Sequence, residues 1–273
     1  MRASDRGGEG KGMGGGRGGR VDSTAQLQKH MTATYFTLRV GLAVLAVSFP
    51  ILLYIFGRLG GDVRLRGSMS AYYHNSAARD VFVGVLFAIS IGLWAYKGFR
   101  GLENWALNAA ALFAIGVALL PTPWDCGDAC PTFTWHHGSA VLFFVCIGYV
   151  AVWRAKDTLP LLAQIRDAGE AKKFRLAYSL IGWAMIVLPI AASIVARWFD
   201  RPGQDTTRVF WIEFAAVYAF AAYWITKSLE MSRTQAERRA VQGRLQQQGE
   251  RKTGARAITE PFTEKPVLSI DPP

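Results

Sequence analysis

Three of the four histidines in this 273-residue chain, His74, His136 and His137, sit at the edges of long apolar runs, with hydroxyls and acids around them. The densest stretch, RGSMSAYYHNSAARD from Arg66 to Asp80, packs Ser68, Ser70, Tyr72, Tyr73, His74, Arg79 and Asp80 against the start of one such run. Histidine and carboxylate are the ligands zinc uses, and three of them with an open position would let the metal acidify a water for hydrolysis. His74, Asp80 and His137 are therefore the candidate catalytic groups, and His74 and His137 the candidate zinc ligands. Ser70, Tyr73, Arg79 and Glu213 are the candidate ligand-binding groups. Glu213 is included because it is predicted about one turn inside the bilayer, where a carboxylate is costly and needs a partner: Arg208, Arg197 or a histidine. Adjacent His136 and His137 point to different faces of a helix, so only one of them shares a site with His74 unless the helix breaks locally. Cys126 and Cys130 lie in the acidic loop PTPWDCGDACPTFTWHHGS. In an oxidising compartment they form a disulfide; if the loop faces the other way, they and a neighbouring histidine become a candidate zinc site.

The same residues also have a plainer reading. Asn75 or Ser76 caps the helix that follows, Asp80 favours its positive end, and the histidines hydrogen-bond between helices.

The elements that must position these groups are membrane spans. A helix needs about 20 mostly apolar residues to cross the bilayer, and six segments qualify: Tyr35–Gly57, Asp80–Phe99, Asn104–Pro121, Phe133–Trp153, Leu176–Phe199 and Val209–Thr226. Lipid does not tolerate unpaired backbone groups, so the fold class is all-α, an integral membrane bundle of six transmembrane helices. The net charge of +11 suggests nucleic acid until its distribution is inspected. With the N-terminus cytoplasmic, 23 Lys and Arg fall on the inner side and seven on the outer, with Arg39 inside the first span. That is the positive-inside pattern; it puts both termini in the cytoplasm and makes the lipid bilayer, not nucleic acid, the expected partner.

Residues 1–34 are rich in Gly and Arg and are expected to lack structure, with Met31 as an alternative start; residues 35–230 form the transmembrane domain, and residues 231–273 a polar tail. Gly84, Ala88 and Gly92 make one small-residue stripe and Ala110, Ala114 and Ala118 another, so the second and third spans should pack as an antiparallel pair. Asn104 and Asn108 share a face suited to interhelical hydrogen bonds. Cys146 reads as a buried thiol.

The spacing Ser70-x-x-x-His74 at a span mouth resembles the Ser/His signature of the membrane hydrolase superfamily that includes alkaline ceramidases and adiponectin-receptor-like proteins. That resemblance implies a zinc site and lipid amidase activity; the His-x-x-x-His of those families' last helix has no counterpart in the last span here. More broadly, SMSAYYHNSAARDVFVGVLF, GVALLPT and HHGSAVLFF resemble uncharacterised bacterial multispanning proteins of unknown function, which implies a bacterial inner-membrane location and the fold alone. The functional expectation is an external His/Asp pocket for a lipid-like or small polar ligand. A metal-dependent membrane hydrolase and a structural or interaction protein without a catalytic site are the two alternatives.

Overall fold

The computed structural model describes residues 18–98, 101–120, 122, 134–160, 168–199 and 206–234. Six helices carry them: α1 (Gly18–Leu59), α2 (Ser76–Ala95), α3 (Gly101–Leu119), α4 (Trp135–Tyr149), α5 (Ala168–Trp198) and α6 (Arg208–Thr234). All six are long and apolar enough to cross a membrane, α4 only with the turns that follow it to Asp157. The bundle lies within one compact unit, residues 33–235; residues 1–32 and 236–273 make up the other. Among the described residues there is no strand, as lipid-compatible backbone pairing requires.

Local chemistry sets the helix ends. Asn75 has an extended backbone and its side chain accepts from the Ala78 N–H at 3.2 Å, so α2 begins one turn before Asp80. Thr134 does the same for α4, accepting from the His137 N–H at 3.5 Å. A short 3-10 turn, Ser70–His74, runs directly into the α2 cap. Beyond Tyr149, α4 widens into a π-helical turn at Val150–Arg154 and then tightens at Ala155–Thr158. Two helices carry prolines in their interiors, Pro50 in α1 and Pro189 in α5. Helix α1 begins at Gly18, inside the stretch expected to lack structure; residues 22–33 hold good helix formers and no glycine or proline, so the membrane span propagates backward.

The helices follow one another around a ring, α2 beside α3, α3 beside α4, α4 beside α5 and α5 beside α6. Helix α1 closes it through side chains. Phe49 meets Phe82 of α2 at 5.5 Å, and the Tyr218 hydroxyl of α6 donates to the Val47 carbonyl at 3.3 Å. The expected pairing of α2 with α3 is present, with Ser90 Oγ donating to Ala111 O at 2.8 Å and Ala110, Ala114 and Ala118 fully buried. The glycine stripe behaves differently: Gly84 has open space beside it, and Gly92 presses on Leu42 of α1. Helix α5 also lies close against the π-helical turn that follows α4, where a Cβ on Gly182 would meet Val152 at 2.5 Å. The amide oxygens of Asn104 and Asn108 are buried without a hydrogen-bond partner among the described residues, so the expected interhelical bonds are not made there.

Candidate functional site

One end of the ring is roofed by the chain between α1 and α2. Residues 62–71 line a central cavity of about 780 Å³ to which all six helices contribute. This strap is held by polar contacts together with the burial of Met69 in the core. Asp62 and Arg66 pair in two-pronged fashion, both contacts at 2.7 Å, and Arg66 Nη1 donates to Ala71 O at 3.0 Å. The Phe210 N–H, one of the donors a helix leaves unused in its first turn, donates to Gly67 O at 2.8 Å. Gly67 has no room for a side chain there, because a Cβ would lie 2.9 Å from the Thr206 carbonyl oxygen. Tyr72 is buried beneath the strap, which pushes its phenol pKa up and keeps the ring neutral.

Glu213 completes the fastening. Its Oε2 accepts from the Met69 N–H at 2.6 Å, and the Ser70 N–H is directed at the same carboxylate. The partners of this intramembrane acid are therefore two backbone amides, not Arg208, Arg197 or a histidine. The two N–H bonds satisfy the buried carboxyl group, so a costly residue becomes the fixed point that ties the strap to α6.

The three histidines stand in one chain of ring contacts. His74 meets Tyr73 at 5.7 Å, Tyr73 meets Phe82 at 6.1 Å, Phe82 stacks on His136 at 6.4 Å, and His136 meets His137 at 5.7 Å. His74 Nε2 lies 2.9 Å from Thr122 O and His136 Nδ1 lies 2.7 Å from Leu120 O. A carbonyl only accepts, so these two nitrogens carry their protons. Burial holds the His74 pKa below the usual histidine range, with the nearby Arg66 charge adding to the effect and the Thr122 bond opposing it. His137 Nδ1 sits 2.8 Å from the Thr134 hydroxyl that caps its own helix.

Of the residues expected to share a site, Ser70, His137 and Glu213 line the cavity, and His136 joins them. His74 and Tyr73 stand one layer behind, reaching it through Thr122 and Phe82. Arg79 and Asp80 are exposed on α2 and line no part of it, so the trio of His74, Asp80 and His137 is not assembled. Among the described residues no group of three His, Cys, Asp or Glu is placed to hold a metal, so the zinc implied by the Ser/His spacing does not fit them. Cys126 and Cys130, with their expected disulfide, lie outside the described residues.

The cavity is two-sided. Its strap end offers hydroxyls, two imidazoles and a carboxylate, whereas its floor is aromatic and aliphatic: Phe82, Leu86, Ile89, Phe143, Phe144 and Phe220. The volume is in the range of pockets that hold one small molecule, about 300–1,000 Å³.

A second polar cluster, not anticipated from sequence, lies at the far end of the bundle. Arg39 of α1, Glu103 of α3, and Lys227 and Glu230 of α6 are each no more than 2% exposed. Glu230 accepts from Lys227 Nζ at 3.1 Å and from the Tyr178 hydroxyl at 2.6 Å, and Lys227 rests 5.7 Å from the Tyr178 ring. Glu103 and Arg39 lie in electrostatic reach of Tyr223. The expected last span ended at Thr226 and the polar tail began at residue 231; α6 instead runs to Thr234, and Lys227, Ser228, Glu230 and Met231 are buried. The legible signal was the i, i+3 spacing of Lys227 and Glu230 directly after an apolar run.

No protein family, curated protein or solved structure matches the chain.

Proposed function

We propose that this is a multi-pass protein of the bacterial inner membrane that binds one amphipathic, lipid-like molecule within its helix ring. The observation that carries the reading is a cavity that joins a polar roof to an apolar floor. A polar group placed in hydrocarbon must find hydrogen bonds, and an acyl chain gains nothing from a polar wall; only a molecule with both parts satisfies the two ends together. Ser70, His136, His137 and Glu213 receive the head group in this reading. Phe82, Phe143 and Phe144 receive the chain. The volume suits a single-chain amphiphile.

The test uses a fluorescent lysophosphatidylcholine and the purified protein in nanodiscs. Ala140 lines the cavity one turn below His136 and His137 and is half-buried, so Ala140→Trp fills the space without touching the strap. Binding should weaken at least tenfold in Ala140→Trp and by a smaller factor in His137→Ala, with thermal stability retained in both. Wild-type affinity in the Ala140→Trp protein would rule out the cavity as the site.

A further inference from the structure

We infer that the cavity is one half of a passage for its amphiphile, and that the buried charges at the far end of the bundle form the closed gate of the other half. The inference rests on the binding reading above. Three observations carry it. The cavity stops at an aromatic layer, where Phe143 and Phe220 meet at 5.6 Å; Trp224 lies against Phe220 at 6.2 Å and Tyr96 at 5.0 Å on the far side. Immediately beyond lie the buried Arg39 of α1, Glu103 of α3, Tyr178 of α5, and Lys227 and Glu230 of α6, with Tyr178 and Glu230 hydrogen-bonded between α5 and α6 and Arg39, Glu103 and Glu230 all in electrostatic reach of Tyr223. The Lys227 position is 14 residues, roughly 21 Å of helix, past Glu213, so polar layers bracket the bundle at its two ends.

The second observation concerns the polar atoms between floor and cluster. Trp224 Nε1 and the Tyr223 hydroxyl are wholly buried and have no hydrogen-bond partner among the described residues. Buried groups left so are costly, and a head group or water passing that level would supply what they lack. A cluster that served only to fasten the helices would have no use for unsatisfied donors beside it.

The third is the placing of the helix breaks. Pro50 interrupts α1, Pro189 lines the cavity in α5 with Ser193 Oγ bonded to its carbonyl at 3.0 Å, and α4 widens to a π-helical turn at Val150–Arg154. Proline and π-helical turns are where membrane helices bend. Interrupted helices around a central site are also how transporters expose one site to two sides in turn. In this arrangement the Tyr178–Glu230 bond between α5 and α6, with Lys227 paired to the same carboxylate, holds the far end shut, and its rearrangement, not unfolding, opens it.

A ligand-independent measurement decides this. Val217 lines the cavity between Glu213 and Phe220 and is half-buried. In a background with Cys126, Cys130 and Cys146 replaced, Val217→Cys is reconstituted in liposomes and exposed to a membrane-impermeant thiol reagent from each side. Labelling from the strap side should be fast. From the far side it should be slow in the otherwise native protein and faster by roughly tenfold or more in Glu230→Gln, since removing one member of a buried ion pair weakens the closed arrangement. Tyr178→Phe deletes one hydrogen bond to Glu230 while leaving the ion pair; it should shift the far-side rate in the same direction and serves if Glu230→Gln fails to fold. A far-side rate unchanged in every folded variant, with strap-side labelling intact, overturns the passage and leaves the binding reading standing. Loss of lysophosphatidylcholine binding in the parent protein would instead count against that binding reading, without altering the labelling result.

Discussion

At the scale of single residues, the two ends of the bundle satisfy their buried acids in different ways. Glu213 neutralises its cost with backbone donors, so Glu213→Ala leaves the Met69 and Ser70 amides without an acceptor and should destabilise by about 1–3 kcal/mol. Hydrogen exchange at residues 66–74 should rise in that variant; unchanged protection would show that the carboxylate does not hold the strap. At the far end the partners are side chains. Lys227→Met strands a buried Glu230 and should cost about 3–5 kcal/mol, whereas Lys227→Met with Glu230→Leu should recover most of it. Equal melting temperatures for single and double variants would deny the pairing. His74 adds a dependence on pH. Its native pKa lies below the free value of 6.5, so the unfolded chain takes the proton first as pH falls; the stability it contributes is full above that value and drains away beneath it. Between pH 7 and about 5 the melting temperature should fall less in His74→Gln than in the parent. Sequence alone could single out Glu213 as anomalous, but not its partner, because backbone donors carry no signature in a residue string. It also favoured Asp80 over His136: polarity was visible, whereas the rotation of α2 that turns Asp80 outward depends on packing.

At the scale of elements, apolar length made all six spans readable, and the departures fall at their ends. Asp80–Phe99 shifted to Ser76–Ala95 because the Asn75 cap, not the first apolar residue, starts the helix. The last span lengthened because charged residues that pair inside the bundle look like tail when read singly. The joint between α1 and the chain leading into α2 leaves no spare room. A Cβ on Gly57 would collide with the buried Tyr72 ring, so Gly57→Ala should force that ring aside and destabilise by about 1–3 kcal/mol. Helix propensity alone would favour alanine, since glycine in a helix interior costs about 0.5–1 kcal/mol. A melting temperature raised by Gly57→Ala would therefore show that the ring yields freely. Gly61, with φ of 94°, is the one left-handed residue needed to turn the chain out of α1.

For the molecule as a whole, the ring of six helices followed from hydropathy, while the cavity did not, because its walls are ordinary apolar residues whose spacing resembles any helix interface. The roof also dictates an order of assembly. Asn75 bonds the Gly57 carbonyl across 18 residues, whereas Glu213 reaches Met69 across 144. Closing the longer loop costs about 1.8 kcal/mol more in chain entropy, and it must wait for the last helix to be synthesised. The hairpin of α1 and α2 can thus form early in translation, yet the strap above it has no acceptor for its Met69 amide until residue 213 has entered the membrane. A nascent chain halted at residue 207 should be cut by trypsin at Arg64 and Arg66, and the completed chain should resist. If both are equally protected, the strap settles without its late partner and synthesis order leaves no mark on it.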